Sequence, residues 1–222
     1  MRWALPLLMT FALPVWADDG VLSSGRLSDA DFYRAATCGA EVGGACRKDP
    51  IFWTRKTLTV RLLRPQAGFP RSLVPRLDRA LDQAIASINA AGAGITLVRD
   101  DRRPGADIIV TPSALFEGEE TRGIARMADG QVIGVGQMQL WWNARNRATE
   151  ASILIAADIS PRDLPSVMLE ELFQSLGFLY DLDNPYYNGR SILAQDSNAT
   201  LTIAGQDQIA LLRHYPPNRG AP

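Results

Sequence analysis

Histidine is almost absent from this 222-residue chain: there is one, His214. Catalytic zinc sites draw three protein ligands from His, Glu, Asp and Cys and leave the fourth place to water. Without a second histidine, the histidine pair that many of them use cannot be built. Cysteine is nearly as scarce, with only Cys38 and Cys46, and their spacing is not the C-x-x-C of a redox motif. An excess of one charge is missing too. The formal net charge is −1 and no long run of like charge occurs, which gives no support to nucleic-acid binding. Beyond the N-terminus no segment is apolar enough to cross a bilayer. No glycine-rich phosphate loop precedes a helix, and there is no internal repeat or low-complexity tract.

What is present describes an exported globular protein. Hydrophobic residues make up 46% of the chain and charged residues 21%, ordinary values for one domain with a real core. Residues 1–17 read as a secretory signal: Arg2 gives the positive start, Trp3 to Trp16 is apolar, and Val15-Trp16-Ala17 places small residues at a cleavage site. No cysteine follows Ala17, which argues against a lipoprotein anchor. The mature chain is expected in the periplasm or outside the cell, without a membrane span. In that setting Cys38 and Cys46 are expected to form a disulfide, closing a small Gly-rich loop worth about 2–3 kcal/mol. The chain divides into the signal (1–17), an irregular N-terminal segment carrying the disulfide (18–54), a folded domain (55–217) and a tail (218–222).

Within the lead, only Asp29 to Ala36 has helical character. Residues 57–63 alternate and are β-rich, which predicts a strand. Residues 75–91 form a long amphipathic pattern with Leu77, Leu81, Ile85 and Ile88 on one face, ended by Gly92 and Gly94. Short strands are expected at 95–99 and 106–110, the second apolar enough to be central. An edge strand is expected at 132–137, where Gly134 and Gly136 weaken it or let something approach. A firm strand follows at 151–156. Glu117-Gly118-Glu119-Glu120 reads as a solvated turn, and Trp141-Trp142-Asn143 as core aromatic surface in preference to a binding platform. A last helix runs to about His214, expected as a packing or surface residue. The order predicts an α+β (α/β-like) domain with a mixed sheet.

The centre of the chain is the stretch from Pro165 to Asp181, read as one helix. Val167, Met168, Leu172, Leu176 and Leu179 recur at helical spacing, Pro165 suits the first turn, and Gly177 is the expected stop. Glu170 and Gln174 are four residues apart and share a face, with Glu171 beside them. An H-E-x-x-H metalloprotease helix has this layout, with two histidine ligands and a glutamate general base. Here the letters are E-E-x-x-Q.

Together with S-I-L-A-Q (Ser191 to Gln195) and L-T-I-A-G-Q-D-Q-I-A-L-L-R-H-Y (Leu201 to Tyr215), this helix resembles the zincin superfamily and, within it, the metzincins. More closely, the chain is similar to an uncharacterised bacterial secreted and lipoprotein family that carries an E-E-L-x-Q helix ending in L-G. The resemblance covers roughly residues 55–217. It implies a zincin-like twisted mixed β-sheet, a long packing helix, an active-site-type helix and a small C-terminal subdomain. It also implies that Glu170, Gln174 and Tyr180 stand where metal ligands would, that Glu171 keeps the general-base position, and that Leu193 replaces the methionine of the turn after the site.

Those departures leave three readings. The first is a binding or scaffold protein that keeps the cleft without a zinc cofactor, for a peptide or protein partner. The second is a peptidase-like hydrolase with Glu171 as general base, either metal-free or with calcium or magnesium held by Glu170, Gln174 and Asp181 or Asp183. The third is structural, with the carboxylates paired to Arg122, Arg126 or Arg190.

Overall fold

A computed structural model describes residues 20–197 and 199–217; the expected signal sequence and the tail at 218–222 lie outside the described residues. Residues 20–54, expected as an irregular lead, carry a short strand β1 (Val21–Leu22) and a helix α1 (Asp29–Cys38). Ser28 caps α1 by accepting from the Asp31 N–H, and Gly39 ends it in the left-handed conformation at φ 68°. Phe32, Ile51 and Trp53 from this segment are buried in the main core. Cys38 and Cys46 are joined by a disulfide.

The sheet then forms in the order that the apolar patterns dictate. In β2 (Thr57–Leu62), Leu58 and Val60 are buried against the helical layer, while Thr59 faces the other way. Helix α2 (Val74–Ala90) buries Leu77, Leu81, Ile85 and Ile88, the face expected from its spacing. It is followed by β3 (Thr96–Arg99) and the fully buried β4 (Ile108–Pro112). After a long excursion come β5 (Gly136–Trp142) and β6 (Ala148–Ile155). The strand order is β3-β2-β4-β6-β5, so the apolar β4 is central, as expected. Its pairs are parallel except β5–β6, which leaves β5 as an antiparallel edge strand. The architecture is mixed α/β with a mostly parallel sheet.

The edge strand starts four residues later than the sequence suggested. Its register is set by Met138 and Leu140, which face the core and are buried. Val132 and Ile133 have strand propensity but belong to the excursion over 113–135. That excursion covers the opposite face of the sheet with a second apolar cluster: Ile124, Met127 and Ile133 on Leu154 and Ala156. Trp141 and Trp142 lie at the end of β5. The Trp141 indole donates to the Arg126 carbonyl at 2.9 Å, and the Trp142 ring lies under the Lys48 ammonium at 4.3 Å.

Helix α3 (Leu164–Gln174) ends three residues before Gly177. A looser turn follows, in which the Gly177 N–H donates to the Gln174 carbonyl at 2.9 Å. The chain then forms β7 (Leu182–Asp183), which pairs parallel with β1, and finally α4 (Gly205–His214). The two C-terminal phrases meet at Asp207. Its carboxylate accepts from the Ser191 hydroxyl at 2.6 Å and from the Ile192 N–H at 2.9 Å. Asp207→Ala removes the acceptor for both buried donors, and we expect a cost of about 2–4 kcal/mol, read as a lower urea midpoint at unchanged slope.

Candidate functional site

Helix α3 packs against β5 because Gly136 has no side chain. A Cβ there would sit 2.4 Å from Val167 Cγ1 and 2.7 Å from Glu171 Oε1. The close approach leaves a cleft of about 400 Å³ between α3 and the segment 132–137. Glu170, Glu171 and Gln174 all line it, so the helical spacing brought these three together as the sequence suggested. Asp181 joins them from the turn after α3, and the Gln174 amide donates to Asp181 Oδ1 at 2.7 Å.

Glu171 is the floor of the cleft, with 8% of its surface exposed. The Met138 N–H, on the edge strand, hydrogen-bonds to its carboxylate. Its Oε2 is buried with no hydrogen-bond partner. Burial, and then the charge of Asp181, push the Glu171 carboxyl up to about 8 against the opposing effect of the Met138 N–H. Burial pushes Glu170 well above the usual carboxylate range, helped by Asp181 and Glu171.

No salt bridge among the described residues involves either glutamate. The arginines that could have answered them are engaged elsewhere. Arg126 pairs with Glu150 at 2.9 Å, Arg122 meets Glu120 at 3.4 Å, and Arg190 donates to the Tyr186 carbonyl at 2.6 Å.

Tyr180 does not join the cleft. It is buried against Gly39 beneath Arg47, and its N–H donates to the Ala36 carbonyl. The left-handed Gly177, at φ 104°, redirects the chain so that position 181 reaches the site. Asp183 lies in β7. Glu117 lines the mouth of the cleft, although its loop read as a solvated turn. Nothing in its sequence neighbourhood signals this, because the fold of the 113–135 excursion carries it there.

Zinc-type ligands are not in reach. His214 is 3% exposed in the core, where Nε2–H donates to the Ile51 carbonyl at 2.9 Å and Nδ1 accepts from the Tyr33 hydroxyl at 3.1 Å. Its ring stacks on Phe52 at 4.2 Å, and burial pulls its pKa down to about 4, so the imidazole is neutral. Both sulfurs are in the disulfide. Among the described residues no group of three or more His, Cys, Asp or Glu side chains is placed to hold a metal ion. Glu170, Gln174 and Asp181 offer only oxygen donors of the kind calcium and magnesium prefer. In comparisons with known proteins, no family model and no curated protein matches the chain.

Proposed function

We propose that this chain is a binding protein on a degenerate metzincin-like fold, and that it takes a peptide or protein segment into the cleft between α3 and the β5 edge without zinc chemistry. The observation that carries the reading is Glu171: a floor carboxyl with one unsatisfied buried oxygen, set beside an edge strand. The Val135 carbonyl accepts from the Ala156 N–H at 3.0 Å, so Val135 faces β6. Alternation then turns the backbone groups of Gly136 towards the cleft, where an extended segment can add to the edge. The mixed sheet, the long α2, the placement of α3 and the Ser191–Asp207 link support the family resemblance. The one histidine and the two sulfurs do not fit a zinc centre at this position.

The state of Glu171 favours binding over hydrolysis. With the carboxyl pushed up to about 8 by burial, the neutral form predominates at about pH 7 and little of the ionised base is present there. A metal-free hydrolase with Glu171 as general base needs the ionised form, which grows as pH rises towards 8, whereas a calcium or magnesium ion beside the carboxyl would lower that pKa. Export to the periplasm or medium is part of the proposal. It is supported by the disulfide and by the lack, among the described residues, of a helix long and apolar enough to cross a membrane.

A synthetic hexapeptide pool tests the reading. The protein is incubated with the pool, separated by size exclusion, and the retained peptides are sequenced by mass spectrometry. We expect a selected subset, recovered uncut, with retention falling about tenfold or more in Gln137→Trp, which fills the cleft from its half-buried wall. Cleaved peptides, with cutting that rises above pH 8 and vanishes in Glu171→Gln, would replace binding with hydrolysis. An empty eluate would end the reading.

A further inference from the structure

The cleft has two kinds of surface. Val132, Ile133 and Val135 from the strand segment and Val167 from α3 give it apolar surface on both walls. The titratable groups that line it are all acidic: Glu170 and Glu171 from α3, Asp181 from the turn beyond it, and Glu117 from the excursion at the mouth. Among the described residues no lysine, arginine or histidine lines it, and β5 contributes only Gly136 and the neutral Gln137. Acidic clusters on protein surfaces are common and are met by solvent. This one differs because Glu171 is more than nine-tenths buried and keeps an unpartnered oxygen. A buried polar atom without a partner costs free energy that an entering donor returns. The terminal torsion of a glutamate side chain is soft, so a small rotation presents that oxygen to the cleft.

Apolar surface beside several carboxyls suits an aliphatic stem with a cationic head. We propose that the cleft receives a basic side chain of the bound segment, a guanidinium or primary ammonium, whose N–H donors are taken by Glu170, Glu171 and Asp181. A guanidinium suits it best, since its planar fork can bond two carboxylate oxygens at once. The inference rests on the binding reading above and names the residue class it selects. Such a cation favours ionised Glu170 and Glu171, so binding releases protons and tightens as pH rises.

The retained hexapeptides decide it. We expect arginine or lysine to be enriched at one position. In the best-retained peptide, replacing that arginine by citrulline, which keeps the shape and removes the charge, should weaken binding about tenfold or more by calorimetry. Affinity for the arginine peptide should rise between pH 6 and pH 9, with protons released. Glu171→Gln should flatten that rise. Glu170→Gln serves as the second variant, and a thermal melt of each shows that it is folded. Retained peptides with no basic preference, or citrulline binding as well as arginine, would overturn this inference and leave the binding reading standing. No retained peptide at all would remove both. Stoichiometric displacement of the arginine peptide by millimolar calcium or magnesium chloride would reassign the carboxyls to a divalent cation.

Discussion

Glu171→Gln should raise the melting temperature at pH 9 while changing it little at pH 4. The native state holds the Glu171 proton up to about pH 8, whereas the unfolded chain releases it near 4.5. A carboxyl raised in this way contributes stability that is fully present below 4.5 and is lost as pH climbs through 8. The span of the shift corresponds to about 5 kcal/mol, or roughly 10–20 °C for a chain of this size. Glutamine has no proton to lose, so the variant lacks that alkaline decline. Glu170 adds to the gain, because losing the neighbouring charge eases its own ionisation. His214 works in the opposite direction. Its lowered pKa makes stability fall as pH drops from 6.5 towards 4, but it does so in both proteins and cancels from the difference. Parallel melts of wild type and variant from pH 4 to pH 9 check this. Equal slopes above pH 6 would mean that Glu171 is not held protonated.

Gly177→Ala is expected to be strongly destabilising for a single added methyl group. The backbone there stands at φ 104°, which side-chain-bearing residues avoid. A Cβ would lie 2.3 Å from the Ile51 carbonyl oxygen and 2.9 Å from His214 Nε2. His214 Nε2–H donates to that carbonyl, and around the pair Phe52 and Phe178 pack on the imidazole. The added methyl therefore strains the backbone and pries apart a buried hydrogen bond together. Strain and overpacking sum to roughly 3–5 kcal/mol. Urea unfolding measures it, and a loss below about 1 kcal/mol would contradict the geometry. Because this turn also delivers Asp181, the variant should weaken peptide retention even where it remains folded.

Periodicity made much of this molecule legible. The spacing of Leu77, Leu81, Ile85 and Ile88 defined α2, the apolar run of β4 marked the sheet centre, and the four-residue interval between Glu170 and Gln174 placed both on one cleft wall. These are local rules, fixed by backbone geometry. The misplaced parts depend on distant contacts. Whether residue 180 or 181 faces the cleft turns on the conformation of Gly177, where the Ile51 carbonyl leaves no room for a Cβ. Glu117 reaches the cleft mouth through an excursion without a repeat, and β5 begins at Gly136 because Met138 and Leu140 fit the core. Gly136 was readable as a place of close approach, but not that Val167 and Glu171 are what approach it.

Tyr33 and His214 hydrogen-bond across 181 positions of sequence, α1 packs on α4, and β1 lies beside β7. In time, this means that the earliest folded residues to be made wait for the latest. A nascent chain halted before α4 has no cover for one side of α1, no imidazole between Phe52 and Phe178, and no Asp207 to hold the turn at Ser191. Closure of such long loops is slow, because distant contacts stabilise the chain only after the entropy of bringing them together has been spent. The packing of α1 on α4 and the burial of His214 therefore form only after α4 has been made.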